Sequence, residues 1–197
     1  MKHSSIYRKD SIVITAIEII SELGIHGLTS KEIAKREKIS EGTLFSHFKN
    51  MNDIILAVLD YYTELDESII ETIETKNLPP LEALFFYASI YTESYDNHPE
   101  ISCLVRIVDM FKHNELLDKR ANEIAELKVS YLKSLFEKAQ NSGSINPNID
   151  SEILMDVIIG SFIFIIDKWR KNNYSFKLKD QVLTTLQIVV DAISHTK

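Results

Sequence analysis

Between residues 29 and 50 the chain reads TSKEIAKREKISEGTLFSHFKN. Hydroxyls, small side chains and nitrogen-bearing side chains crowd this stretch, without the nucleophile–base pattern that a catalytic arrangement requires. Their chemistry suits a polyanion: hydroxyls, ammonium groups and the backbone N–H groups at helix starts donate to phosphate oxygens, and small residues let a backbone approach base edges. The spacing supplies the elements. Thr29 and Glu32 form a capping-box pair that opens one short helix, and Ser40 caps a second. Two short helices joined by a tight turn can lay the second in a major groove. Ile33, Ala34, Ile39, Leu44 and Phe48 would tie the pair together, and Glu41, Gly42, Thr43 and Ser46 would lie on the opposite side. The residues expected at a nucleic-acid surface are Thr29, Ser30, Lys31, Ser40, Glu41, Gly42, Thr43, Phe45, Ser46, His47 and Lys49. Glu41 carries two readings. Its carboxylate can accept from cytosine N4, or it is a solvated first-turn charge favourable to the helix dipole; the second is favoured.

The formal net charge of -7 argues against a polyanion partner only if it is spread evenly. Residues 1–50 carry a balance of +2 and residues 51–197 a balance of -9, so the acidity belongs to the C-terminal part. Charges beyond a Debye length of about 10 Å are largely screened. The single cysteine excludes an intramolecular disulfide and fits a reducing cytoplasm. The N-terminus has no apolar segment of a secretory signal, and the longest apolar run, residues 157–166, is too short to span a bilayer as a helix. No membrane partner is expected.

Apolar residues recur at helical spacing throughout, and Gly and Pro are scarce, at 5 and 4 residues. The fold class is all-α with about nine helices. The first spans roughly 8–23 and ends at Gly24, and short helices follow to about Arg36 and Phe48. The fourth opens at Asn50 and Asp53 and is stopped by the NLPP stretch near residue 77. Further helices are expected over 81–97, 101–112, 116–141 and 151–171, with a last one around Val182–Ile193. A three-helix domain at 1–50 and a larger helical domain at 51–197 follow.

Residues 16–54, about a fifth of the chain, resemble the N-terminal domain of the TetR family of bacterial transcriptional regulators. Ala16, Gly24, Thr29, Ile33-Ala34, Ile39-Ser40, Gly42-Thr43-Leu44 and His47-Phe48 carry the likeness, in order and without gaps. The resemblance implies a homodimer on a (pseudo)palindromic double-stranded operator, with a small-molecule effector bound in the C-terminal domain. A repressor released by an apolar or amphipathic effector is the expected sense. Three positions depart from the family pattern. Lys38 stands where a turn glycine is usual, Phe45 where a phosphate-contacting Tyr is usual, and Met51 where Lys is usual. They motivate an alternative, a helical binding module with weakened or lost DNA binding.

In the C-terminal domain the resemblance implies a ligand pocket, and Phe85, Tyr91, Tyr95, Cys103, Arg106, Ile107 and Met110 are its candidate lining. For any single aromatic, ordinary core packing is the favoured reading. Arg106 either orients an anionic ligand or pairs with a carboxylate such as Asp109, and Cys103 reads as a small buried hydrophobe. His98 and His113 are too far apart in sequence for a helical ligand pair, so neither metal nor cofactor is expected. No catalytic motif supports an enzyme. Gly160 and Ser161 inside an apolar helix allow close helix approach; with Val157, Phe164, Leu186 and Val190 they form the candidate dimer interface, or they pack within one chain. If Lys49 compensates for the missing Tyr and Lys, Lys49→Ala weakens DNA binding and lowers the slope of log affinity against log salt by about 1. Fluorescence anisotropy over a salt series measures both.

Overall fold

The computed structural model describes the backbone of residues 2–194 and, within it, the side chains of residues 8–106 and 108–194. Among the described residues there are nine α-helices, two 3-10 segments and no strand: α1 (Lys2–Leu23), α2 (Ser30–Glu37), α3 (Glu41–His47), α4 (Met51–Lys76), α5 (Pro80–Asn97), α6 (Ile107–Phe111), α7 (Glu115–Asn141), α8 (Ser151–Lys171) and α9 (Leu178–Ile193). The 3-10 segments are Ile25–Gly27 and Pro99–Arg106. No helix among the described residues is long and apolar enough to cross a membrane.

Two differences from the sequence expectation have local causes. The span expected as one helix over 101–112 is a 3-10 segment followed by the short α6, the change falling at Arg106, whose ψ of 31° departs from the α-helical value. The fourth helix ends before its prolines. Asn77 adopts the left-handed conformation at φ 49°. Its N–H reaches Glu74 O at 3.1 Å while Leu78 N–H reaches Ile73 O at 3.2 Å. That pair of bonds is a Schellman motif. The same motif closes α2 at Lys38, α7 at Gly143 and α8 at Asn173. Left-handed residues, more than prolines, set where these helices stop.

Two compact units share the chain: Met1–Glu64 with Glu100–Ala125, and Leu65–Pro99 with Glu126–Lys197. Residues 1–50 lie wholly in the first, and residues 51–197 are divided between both. In the first unit the buried face of α1 (Ile12, Val13, Ala16, Ile17, Ile20) shares a core with Ile33, Ala34, Leu44 and Phe48. Asn50 accepts from Asp53 N–H at 3.0 Å while the Asp53 carboxylate takes Lys49 N–H at 3.1 Å, so the start of α4 is capped reciprocally.

In the second unit α5 and α8 pack against α9. Asp150 caps α8 through Glu152 and Ile153 N–H groups at 2.8 and 3.2 Å. Lys177, at the start of α9, offers no side-chain cap. Asp96 of α5 supplies it, accepting from Leu178 and Lys179 N–H groups at 3.1 and 3.2 Å. Trp169, buried at the end of α8, donates its indole N–H to Phe176 O at 2.8 Å and pins the connection into α9.

Candidate nucleic-acid interface

Helix α2 is too short to be stable alone, and side chains beyond its own turns fix it. Thr29 Oγ1 accepts from Glu32 N–H at 3.2 Å at its start. The reciprocal half expected of the capping box is absent, because the Glu32 carboxylate turns to Arg36 Nε at 3.0 Å and Lys35 Nζ at 3.4 Å. Arg36 also holds Glu22 of α1 at 2.7 Å. Both carboxyls are thereby held below the usual carboxylate range, chiefly by their hydrogen bonds to Arg36, and Arg36 is raised in turn.

The other end of α2 is held by Glu37, whose side chain is 7% exposed. Its carboxylate accepts from Ser11 Oγ at 2.8 Å and Thr15 Oγ1 at 2.6 Å, and Arg8 of α1 lies 3.4 Å away. The next residue is Lys38, at φ 54° and ψ 42°, where a side chain is strained and glycine is not. Ile39 N–H then bonds Ala34 O at 3.0 Å, which turns the chain into α3. Ser40 Oγ accepts from Thr43 N–H at 3.0 Å and opens that helix. Leu44 is fully buried beneath it.

The exposed face carries Thr29, Lys31, Ser40, Glu41, Gly42, Thr43, Phe45, Ser46 and Lys49; Ser30 and His47 are half-buried at its border. All eleven expected positions therefore fall on or beside the surface of the two-helix unit. Gly42 is not demanded by the chain itself, since a methyl there would meet only Ser40 Oγ at 3.6 Å. The Glu41 carboxylate accepts from Ser30 Oγ at 2.6 Å. It is therefore a tie between the first turns of α2 and α3 rather than a freely solvated charge. The Ser46 hydroxyl turns inward to Thr43 O at 2.7 Å. Phe45 is 40% exposed. Among the described residues, Lys31, Lys38 and Lys49 take part in no ion pair, whereas Glu22, Glu32, Glu37 and Glu41 are all engaged within the unit.

The expected pocket residues divide between the units. Phe85, Tyr91 and Tyr95 belong to the second, and Cys103, Arg106 and Met110 to the first; the Ile107 side chain lies outside the described residues. Tyr91, Tyr95 and Cys103 are buried, Phe85 and Met110 half-buried, and Arg106 exposed. Of the expected dimer residues, Val157, Gly160 and Phe164 are exposed and Ser161 is half-buried. Leu186 and Val190 are corrected: at 5% and 4% exposure they pack into their own unit, and the exposed apolar residue of α9 is Ile188. Sequence reasoning missed Glu37, although Ser11 and Thr15 at i, i+4 on the otherwise apolar face of α1 were its signal.

Comparison with known proteins gives a consistent picture. Residues 12–58 match the family model described as bacterial regulatory proteins, tetR family. The chain is 23% identical over 191 residues to the fatty acid metabolism regulator protein of Bacillus subtilis, covering 94% of this chain and 95% of that one. It is 22% identical over 185 residues to a probable acrEF/envCD operon repressor of Escherichia coli, covering 91% and 84%. The fold matches the crystal structure of the transcriptional regulator FadR from Bacillus subtilis in complex with stearoyl-CoA, with a TM-score of 0.79 at 22% identity, covering 93% and 98%.

Glu37→Ala strands the Ser11 and Thr15 hydroxyls and should cost about 2 kcal/mol in urea unfolding, given about 1.5–3 kcal/mol for hydrogen bonds to charged groups; Glu37→Gln should recover part of it. Arg36→Met removes the groups that depress Glu22 and Glu32. Depressed carboxyls contribute stability above their ordinary value of 4.5 and lose it as pH falls through the lowered value. The wild-type advantage over Arg36→Met should therefore be full at neutral pH and shrink below about 4.5 in thermal melts across pH.

Proposed function

We infer that this chain, which belongs to the tetR family of bacterial regulatory proteins, represses transcription as a homodimer and releases its operator when a small apolar or amphipathic effector binds. It is a ligand-responsive DNA-binding transcriptional regulator. The observation that carries the reading is the two-helix unit itself: α2 and α3 are capped, turned at Lys38 and faced with small and hydroxyl-bearing residues, while their carboxylates are held by hydrogen bonds within the unit. Residues 1–50 are the DNA-reading domain in this reading and residues 51–197 the effector and dimerisation domain. Its relatives are named as regulators rather than enzymes. Its place of action is the cytoplasm, where the operator is.

In the groove, Thr43 and Gly42 approach the bases. Thr29, Ser40, His47 and Lys49, with the backbone N–H groups at the starts of α2 and α3, hold phosphates. Two copies present two α3 helices to successive major grooves, so the operator has two half-sites about one helical turn apart. The partner surface is the exposed stripe of α8: Ile153 at 63%, Val157 at 51%, Gly160, and Phe164 at 69%, joined by Ile188 of α9 at 65%. These residues recur at i, i+4, i+7 and i+11 on a face their own unit does not cover, as a two-fold helix pairing requires. The stearoyl-CoA bound to the Bacillus subtilis relative supports an amphipathic effector.

Footprinting and anisotropy on the region upstream of its own gene test the DNA reading. Two protected half-sites and a salt-dependent affinity well above that for unrelated DNA are expected. Equal affinity for both DNAs would favour the alternative, a binding module that has lost sequence reading through Lys38, Phe45 and Met51. Phe164→Arg should yield a monomer of unchanged helicity by sedimentation velocity and circular dichroism, with loss of two-half-site binding.

A further inference from the structure

The second unit holds an ion pair whose two charges are not equivalent. Asp66 on α4 is 1% exposed. Its Oδ1 accepts from the Tyr87 hydroxyl. Its Oδ2 lies 3.4 Å from Lys128 Nζ on α7, yet accepts no hydrogen bond. Lys128 donates instead to the Tyr91 hydroxyl at 2.5 Å, and its Nζ is 4.2 Å from that ring's centroid. Tyr87 stacks on Tyr91 at 5.5 Å, and Phe162 and Tyr95 meet the Tyr91 ring edge-on at 6.3 and 5.3 Å. A carboxylate with an unfilled acceptor position thus sits among aromatic rings, and an ammonium group lies beside it.

The anion is fixed and the cation is movable. Asp66 has a short side chain, is sealed from water and is anchored by Tyr87. Lys128 ends a long flexible stem that is 22% exposed, and its strongly hydrated ammonium regains water when it swings outward. Leaving Asp66 buried and unpaired is costly, so Lys128 moves out only if another cation replaces it. An anionic guest that pairs with Lys128 would sit beside a second, buried negative charge. A neutral guest supplies no charge to replace the ammonium. The open Oδ2 calls for an N–H donor, and the aromatic rings favour a cation with apolar bulk behind it.

We propose that Asp66, with Tyr87 and the Tyr91 ring, forms the head-group site for a cationic amphiphile, a primary ammonium on a hydrocarbon or aryl body, and that Lys128 is its built-in competitor. This deepens the effector reading above and rests on it. A fixed buried carboxylate disfavours an anionic group at this position.

Four probes that share an eight-carbon chain test the site by titration calorimetry on the full chain at neutral pH: octylammonium, octyltrimethylammonium, 1-octanol and octanoate. Octylammonium should bind at least about tenfold tighter than the other three. Asp66→Asn should erase that preference. Lys128→Met keeps the stem and removes the competitor, so it should bind octylammonium about tenfold tighter than wild type, the opposite of what loss of a merely structural ion pair would do. Octanoate binding as well as octylammonium, an unchanged ranking in Asp66→Asn, or weaker binding by Lys128→Met would overturn the proposal. Should either variant not fold, the wild-type ranking decides. Release of operator DNA is read separately by mobility shift. The expected ranking without release keeps the head-group site and refutes the effector coupling; release by octanoate alone keeps the coupling and refutes the site.

Discussion

Glu37 is the contact on which the placement of the reading helix depends. It is the last residue of α2 and precedes the left-handed turn at Lys38. A two-helix unit of 8 and 7 residues cannot hold its own geometry by backbone bonding. Glu37 fastens the end of α2 to two hydroxyls of α1, so the direction in which the chain leaves the turn is inherited from the longer helix. The buried residues Ile33 and Leu44 then hold α2 and α3 against the same core, but apolar contact is non-directional and alone would leave α3 free to rotate. The carboxylate supplies direction. The strain at Lys38 is tolerated because the segments on both sides of it are held independently.

The unit treats its acids and its lysines differently. Each carboxylate of α2 and α3 is already engaged: Glu32 with Arg36 and Lys35, Glu37 with Ser11, Thr15 and Arg8, and Glu41 with Ser30. The Glu37 side chain is only 7% exposed, and Glu41 joins the two first turns. The cations are treated differently. Lys31, Lys38 and Lys49 extend outward on flexible stems and, among the described residues, are held by no acid. Net charge measures none of this, because at Debye lengths of about 10 Å only the local arrangement reaches a phosphate.

What the sequence makes legible is local. Thr29, Ser40 and Asn50 can be read as caps because a cap acts within three residues of itself, and Gly24 as a terminus because glycine tolerates positive φ at no steric cost. The ordered set from Ala16 to Phe48 is legible because both its spacing and its residue types are constrained. Interactions that join distant segments are not legible. Asp96 caps a helix more than eighty residues away, and nothing near Lys177 announces it. Asp66 and Lys128 are each an ordinary charged residue on an amphipathic helix until the fold brings them together. Leu186 and Val190 read equally as partner-facing or as packed within one chain, because an apolar helix does not reveal which face belongs to which neighbour; both are buried within the chain. Lys38 lies between these cases: its turn is legible, and its left-handed conformation is one that glycine adopts without strain.

Coupling between an effector and DNA requires that the effector favour one of two states, and α4 is the element on which both events can act. Its first turn is closed by Asn50 and Asp53, immediately after α3. Asp66 lies on the same helix, about four turns further on at about 3.6 residues per turn. No Gly or Pro interrupts Met51–Lys76, so the usual causes of a kink are missing from its interior. A guest exchanging with Lys128 changes what holds α4 at Asp66, whereas its capped start is fixed by bonds the guest does not touch. In the proposed site the differential free energy comes from the exchange at Asp66. An effector without a group to replace that ammonium has nothing at this position with which to prefer one state over the other.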